Sequence, residues 1–197
     1  VCSTEQDLSE IVKRSPSLVI LASKYIPVPK GDDVWLSDYF AKAKINFSGS
    51  MRKVLKFDSD KVLAKTHLRK NGVKTANFFT AIPKQFDNES ELPFLYPLFL
   101  KPLDAANGNG VDDLSFVSNF EEFESKLSSL YARFNAPVLV EEYLNGQEFT
   151  VAIIRTVDGE MIVSPIEIIP PNSSNGLRIL GEQTKTDDSE ELKKAGV

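Results

Sequence analysis

Two stretches decide how this chain reads: PLFLKPLDAANGNGV, Pro97–Val111, and VLVEEYLNGQEFTV, Val138–Val151. In the first, a short apolar strand delivers Lys101 to a glycine-rich turn. In the second, another apolar strand delivers Glu141 and Glu142, then Glu148 after a short interval. Lysine neutralises phosphate oxygens, and carboxylates at a strand end accept hydrogen bonds from amino groups and hydroxyls. Read as a pair, the stretches suggest a nucleotide pocket. Taken singly, each has a plainer meaning. Gly108-Asn109-Gly110 alone suits a hairpin loop, Lys101 alone could snorkel to the surface, and two glutamates alone could end a solvated strand. Alternation in Val138–Glu142 nevertheless turns one glutamate inward, where a carboxylate needs a partner.

Working outward, Leu98–Lys101 and Leu114–Val117 read as strands flanking the turn. Ser118 and Glu121 suggest a capping box for an amphipathic helix through Phe120, Phe123, Leu127, Leu130 and Phe134. Phe149–Thr156 and Met161–Ile169 read as a hairpin around Asp158-Gly159. Phe78–Ile82 suggests a further strand, and Pro83–Pro93 is loop-like. Upstream, Asp58 or Ser59 is expected to start a helix in which Lys61 and Lys65 share a face, with Asn71-Gly72 as its stop. The segment from Pro170 to Val197 reads as a polar tail with no completed core element.

Near the N-terminus, Ser3 and Gln6 suggest a capping box for a first helix. Leu18–Ala22 has the pattern of a parallel strand buried on both faces. Asp32 or Asp33 is expected to cap a helix bearing Trp35, Leu36, Tyr39 and Phe40. Such a strand needs neighbours, so the chain is expected to begin partway into an α/β domain. The fold class is thus α/β and α+β, with residues 1–57 set apart by a boundary at Phe57-Asp58, where the α/β opening gives way to a lysine-bearing helix and an α+β region.

Composition narrows the function. The 197 residues are 42% hydrophobic, enough for one domain or parts of two. No apolar run approaches the roughly 20 residues that span a bilayer, and no signal-peptide layout is visible, so a cytoplasmic, non-membrane protein is expected. One cysteine and one histidine exclude an internal disulfide and a zinc site built from those residues. A net charge of −5 argues against nucleic acid as a partner. His67, amid charged helical residues, gives no support to Ser-His-Asp hydrolysis. Neither a P-loop nor a dinucleotide fingerprint is present.

The ordered set Asp60-Lys61, Phe99–Pro102, Asn107–Gly110, Val138–Val151 and Pro165–Ile168 resembles the ATP-grasp superfamily, and within it the D-alanine–D-alanine ligases. The resemblance covers roughly Asn46 to Lys185. It implies a partial ATP-grasp fold preceded by the remnant of a parallel-sheet α/β domain. Residues 58–147 would be the small, lid-bearing subdomain, and 148–197 the start of the catalytic subdomain.

By the same resemblance, Lys61 and Lys101 contact ATP phosphates, Lys101 also lying near the adenine. Glu141 accepts from the adenine amino group, Glu142, Tyr143 and Leu144 line the base, and Glu148 binds ribose hydroxyls. Asn107, Gly108, Asn109 and Gly110 form the lid, and Lys185 is a further phosphate contact. The implied chemistry is carboxylate–amine ligation through an acylphosphate, with ATP, magnesium and amino-acid substrates and a homodimer as one full-length form. The late magnesium ligands and the residues for the first substrate are not seen. Catalytic and metal residues are therefore expected outside this chain, which by itself would be inactive. Other readings are a biotin-carboxylase-like or peptide-ligating ATP-grasp ligase, or a non-catalytic nucleotide-binding module.

Overall fold

A computed structural model describes residues 4–28, 31–105, 108–169, 176–177 and 179–181. The chain divides into two compact units, Val1–Asp60 and Lys61–Val197.

In the first unit, helix α1 is Glu5–Lys13, strands β1 and β2 are Tyr25–Ile26 and Val34–Trp35, and helices α2 and α3 are Leu36–Lys42 and Arg52–Ser59. Leu8, Ile26, Leu36 and Phe40 form its core. The cap of α1 is Thr4, not Ser3, which lies outside the described residues. The Asp7 N–H donates to the Thr4 hydroxyl at 3.2 Å, and the Thr4 N–H donates to the Asp7 carboxylate at 2.9 Å. Asp32 and Asp33 do not cap α2. Pairing of Val34 with Ile26 and of Trp35 with Tyr25 keeps the chain extended there, so Trp35 becomes the N-cap.

Leu18–Ala22 is not a strand buried on both faces. Leu18 is 53% and Ile20 71% exposed, and the parallel pairing among the described residues is one bridge, Val19 to Phe47. A doubly buried strand needs a partner on each edge and cover on each face; apolar character alone supplies neither. Asp58 and Ser59 belong to the last turn of α3, a helix the sequence reading missed. Asp60 then turns extended, at φ −124°, before the next helix begins.

In the second unit, helix α4 is Lys61–Lys70 and strands β3, β4 and β5 are Phe78–Ala81, Leu98–Pro102 and Phe116–Val117. Helix α5 is Phe120–Phe134, followed by β6, β7 and β8 at Val138–Glu142, Glu148–Arg155 and Met161–Ile168. α4 stops as read, with Gly72 at φ 75° and its N–H donating to the Arg69 carbonyl. Strands β3, β6, β4 and β5 make an antiparallel sheet in that order.

The apolar stripe of α5 covers one face of this sheet. Phe123, Leu127 and Leu130 pack with Leu98, Leu100, Val138 and Val140, each at most 2% exposed. Burying such a side chain stabilises by about 1.5–3 kcal/mol, so this layer is the core of the unit. Asn119, not Ser118, is the N-cap of α5, accepting from the Glu122 N–H at 2.9 Å. Ser118 instead donates its N–H and hydroxyl to the Glu122 carboxylate, one residue beyond the expected Glu121.

Strand β5 is shorter than Leu114–Val117. The Asp112 carboxylate accepts from the Leu114 N–H and draws residues 113–115 into a 3-10 turn. β7 and β8 pair over eight residues each, closed by a turn with Gly159 at φ 89°. The tail adds more than was expected, since Ile179 is only 7% exposed.

Candidate functional site

Two-residue alternation separates the faces of the sheet. On β4, Leu98, Leu100 and Pro102 are buried, and Leu98 and Leu100 join the core beneath α5. Phe99 and Lys101 therefore point to the opposite face. On β6, Phe99 stands opposite Glu141 and Lys101 opposite Leu139, which puts Glu141 on the same face. Lys101 and Glu141 are diagonal cross-strand neighbours, within reach of a long side chain.

Glu141 is the inward-facing glutamate. Its side chain is 8% exposed and pairs with two lysines, Lys65 Nζ at 2.6 Å from Oε1 and Lys101 Nζ at Oε2. Burying one carboxylate is costly, and the two ammonium groups offset that cost. Glu142 has a different task. Its carboxylate accepts from the Asn77 N–H at 2.9 Å and the Asn77 side-chain amide at 3.1 Å, tying the end of β6 to the start of β3.

Helix α4 brings a basic stripe to the same face at Lys61, Lys65 and Arg69, one turn apart. Lys61 Nζ donates to the carbonyls of Leu103 at 3.3 Å and Ala105 at 2.5 Å, so it reaches the segment leading into the glycine-rich turn. Lys65 also donates to the Thr75 hydroxyl at 2.6 Å and the Ala76 carbonyl at 3.3 Å. Arg69 and Lys65 lie over the Phe78 ring, at 4.6 and 5.3 Å from its centroid.

On this face lies a cleft of about 1070 Å³. Lys61, Lys101, Gly108, Asn109, Glu141, Glu142, Tyr143, Leu144 and Glu148 line it, so most of the sequence-derived candidates share one cavity. Tyr143 forms an apolar wall, its ring edge-on to Phe116 at 4.9 Å and tilted against Phe99 at 6.2 Å. Leu144 is 65% exposed, and Glu148 is exposed at the start of β7. Gly110 does not line the cleft wall; it is buried behind it. Asn107 and Lys185 lie outside the described residues.

Three contributions were not singled out from the sequence. Lys65 was noted only as sharing a face with Lys61; the i, i+4, i+8 spacing of Lys61, Lys65 and Arg69 was the signal for it. Glu167 and Ile168 of β8, part of the Pro165–Ile168 stretch that carries the resemblance but without a site role there, line the cleft, and Gln147 donates to Glu167 at 3.0 Å. Leu177, Ile179 and Leu180 line it too. At Gly181 a Cβ would sit 2.6 Å from the Val111 carbonyl oxygen, so only glycine permits that close approach.

The donor set fits a nucleotide: ammonium groups for phosphates, a buried carboxylate and polar strand ends for an amino group and hydroxyls, and an aromatic wall for a base. Among the described residues no group of three or more His, Cys, Asp or Glu side chains gathers to hold an ion, and no helix is long and apolar enough to cross a membrane.

Comparison with known proteins follows the same lines. The family model for the D-ala D-ala ligase C-terminus matches residues 68–188, more than half of the chain. D-alanine–D-alanine ligase of Coprothermobacter proteolyticus is 27% identical over 147 residues, 72% of this chain and 46% of that protein. The chain thus spans less than half the length of this relative. Among solved structures, D-alanine–D-alanine ligase from Bacillus anthracis complexed with ATP superposes with a TM-score of 0.52 at 24% identity, over 84% of this chain and 57% of that one. N5-carboxyaminoimidazole synthetase from Staphylococcus aureus complexed with ADP gives a TM-score of 0.56 at 15% identity, over 98% and 48%.

Proposed function

Because this chain belongs to the D-ala D-ala ligase C-terminus family, with a partial ATP-grasp fold, we propose that its cleft binds ATP for a carboxylate–amine ligation. One observation carries the reading. A single cavity gathers Lys61, Lys101, Glu141, Tyr143 and Glu148 around the sheet face that α5 leaves uncovered.

In this reading Lys61 and Lys101 hold phosphate oxygens, and Glu142, Tyr143 and Leu144 line the base. Glu141 accepts from the adenine amino group. A carboxylate has about four acceptor sites, so pairing with Lys65 and Lys101 leaves capacity for that bond. Glu148 takes the ribose hydroxyls, Gly108 and Asn109 border the phosphates with Gly110 buried behind them, and the same reading gives phosphate contacts to Asn107 and Lys185, which lie outside the described residues. ATP supplies the phosphoryl group that activates a carboxylate; these residues position it and neutralise its charge. Among the described residues no group of acidic side chains gathers to hold magnesium. The amino-acid substrates and the complete ligase activity belong to the same proposal.

We assign residues 58–147 to the lid-bearing subdomain, 148–197 to the start of the catalytic subdomain and 1–57 to the preceding α/β domain. Support comes from the division of the chain after Asp60 and from the separate sheet formed by β7 and β8.

The test is calorimetric ATP titration, with magnesium, of the complete natural polypeptide carrying this sequence. Lys101→Ala and Glu141→Ala should each weaken binding about tenfold or more, the loss expected for a charge-assisted hydrogen bond. Unchanged affinity in both variants refutes the assignment.

A further inference from the structure

Helix α5 carries a lysine on the side where it packs. Lys126 lies beside Phe123, Leu127 and Leu130, and its side chain is 5% exposed. An ammonium group so enclosed needs partners. Its partners both belong to the far side of the glycine-rich turn: the Asp112 carboxylate at 2.7 Å and the Gly110 carbonyl at 3.2 Å. Two helical turns on, at i+7 and i+8, the same face of α5 grips the turn again. Arg133 donates to the Asn109 side chain at 2.6 Å, and the Phe134 ring stands where a Cβ on Gly110 would come within 2.7 Å.

These contacts involve the residues next to the cleft wall, where Gly108, Asn109 and Val111 stand. Asp112 balances the charge of Lys126, so the lysine adds geometry to the cleft rather than net positive potential. We infer that Lys126 is a positioning residue for the glycine-rich turn, acting through Gly110 and Asp112 to fix Gly108 to Val111 at the phosphate end of the cleft. The inference rests on the nucleotide reading above, and its test separates the two.

The experiment uses Lys126→Met and Arg133→Ala in the complete polypeptide. Asp112 is half-exposed and is solvated once the lysine is gone, and Arg133 is exposed, so both variants should fold. The first readout is amide hydrogen exchange. In Lys126→Met, exchange at residues 108–111 should rise about tenfold, the factor implied by losing one charge-assisted hydrogen bond, with β4 and β6 unchanged. Arg133→Ala should give a smaller rise. The second readout is the ratio of ATP to adenosine affinity, which should fall in Lys126→Met while adenosine affinity holds. A purely structural lysine would not move that ratio. Unchanged exchange in Lys126→Met overturns the anchor, and an unchanged ratio with ATP binding intact overturns the positioning role alone. Absence of ATP binding in the unsubstituted protein sinks the nucleotide reading and this role with it.

Discussion

Strands β6 and β7 are written in the same apolar vocabulary and meet different fates. In β6, Val138 to Glu141 are all buried; in β7, all eight residues from Glu148 to Arg155 are exposed. The difference lies in their surroundings. β6 has β3 on one edge, β4 on the other and α5 across one face, whereas β7 pairs only with β8 among the described residues. Local sequence makes a strand, and neighbours make it a core. A lone two-stranded hairpin is marginal in water. Phe149, Val151, Ile153 and Val163 are exposed on one face of the hairpin and Ile154, Ile162 and Ile166 on the other, apolar surface of the kind that marks contact regions.

The hardest test of this contrast is a pair of truncations. Phe123→Ala, at a fully buried site under the sheet, should cost about 3–5 kcal/mol in denaturant unfolding. Ile153→Ala, at a site 60% exposed, should change stability by no more than about 0.5 kcal/mol. Equal losses would mean that the hairpin is covered in solution, and the comparison would break.

A smaller effect is expected at the buried charge cluster. Lys65→Met removes one of the two cations on Glu141, together with bonds to Thr75 and Ala76. Glu141 keeps Lys101, so the cost should be about 1–3 kcal/mol, below that of breaking an isolated buried pair. On the hairpin side, the exposed Gln147 to Glu167 bond is the control. Gln147→Ala should be close to neutral in the same unfolding measurement.

Much of this second unit was legible beforehand, and the reasons are local. The three-to-four-residue spacing of Phe123, Leu127 and Leu130 predicts α5, and Asp158-Gly159 predicts the hairpin turn. Alternation turns one of Glu141 and Glu142 inward, and the pairing of Glu141 with Phe99 settles which. What failed depended on competition between neighbours or on distant partners. Asn119 outcompeted Ser118 as a cap, Asp112 drew residues 113–115 out of β5, and Leu18–Ala22 has, among the described residues, one parallel bridge in place of the flanking strands its composition suits. Lys65 stayed in the background because its partner is 76 residues away in sequence. Lys126 went unremarked because a lysine beside an apolar stripe ordinarily reaches solvent.

The smallest expected effect is a pH dependence, and it again sets the two regions side by side. Hydrogen bonds from the Ser118 N–H, first, and then the Ser118 hydroxyl hold the Glu122 carboxyl below its ordinary value of 4.5. The Thr156 hydroxyl does the same for Asp158, in the hairpin turn, below 3.8. A carboxyl whose pKa is depressed by folding stabilises the fold above its unfolded value, and that contribution is lost as pH falls through the folded one. Both groups are exposed, so screening keeps the effect slight. Glu122 nevertheless secures the first turn of the helix that covers the core, whereas Asp158 secures only its own turn. Glu122→Gln should therefore lower Tm slightly at neutral pH and flatten its decline below about pH 4.5, the range set by the unfolded carboxyl. Asp158→Asn should leave the Tm profile of the core unchanged. If Asp158→Asn flattens the acid limb as much as Glu122→Gln does, hairpin and core unfold as one unit.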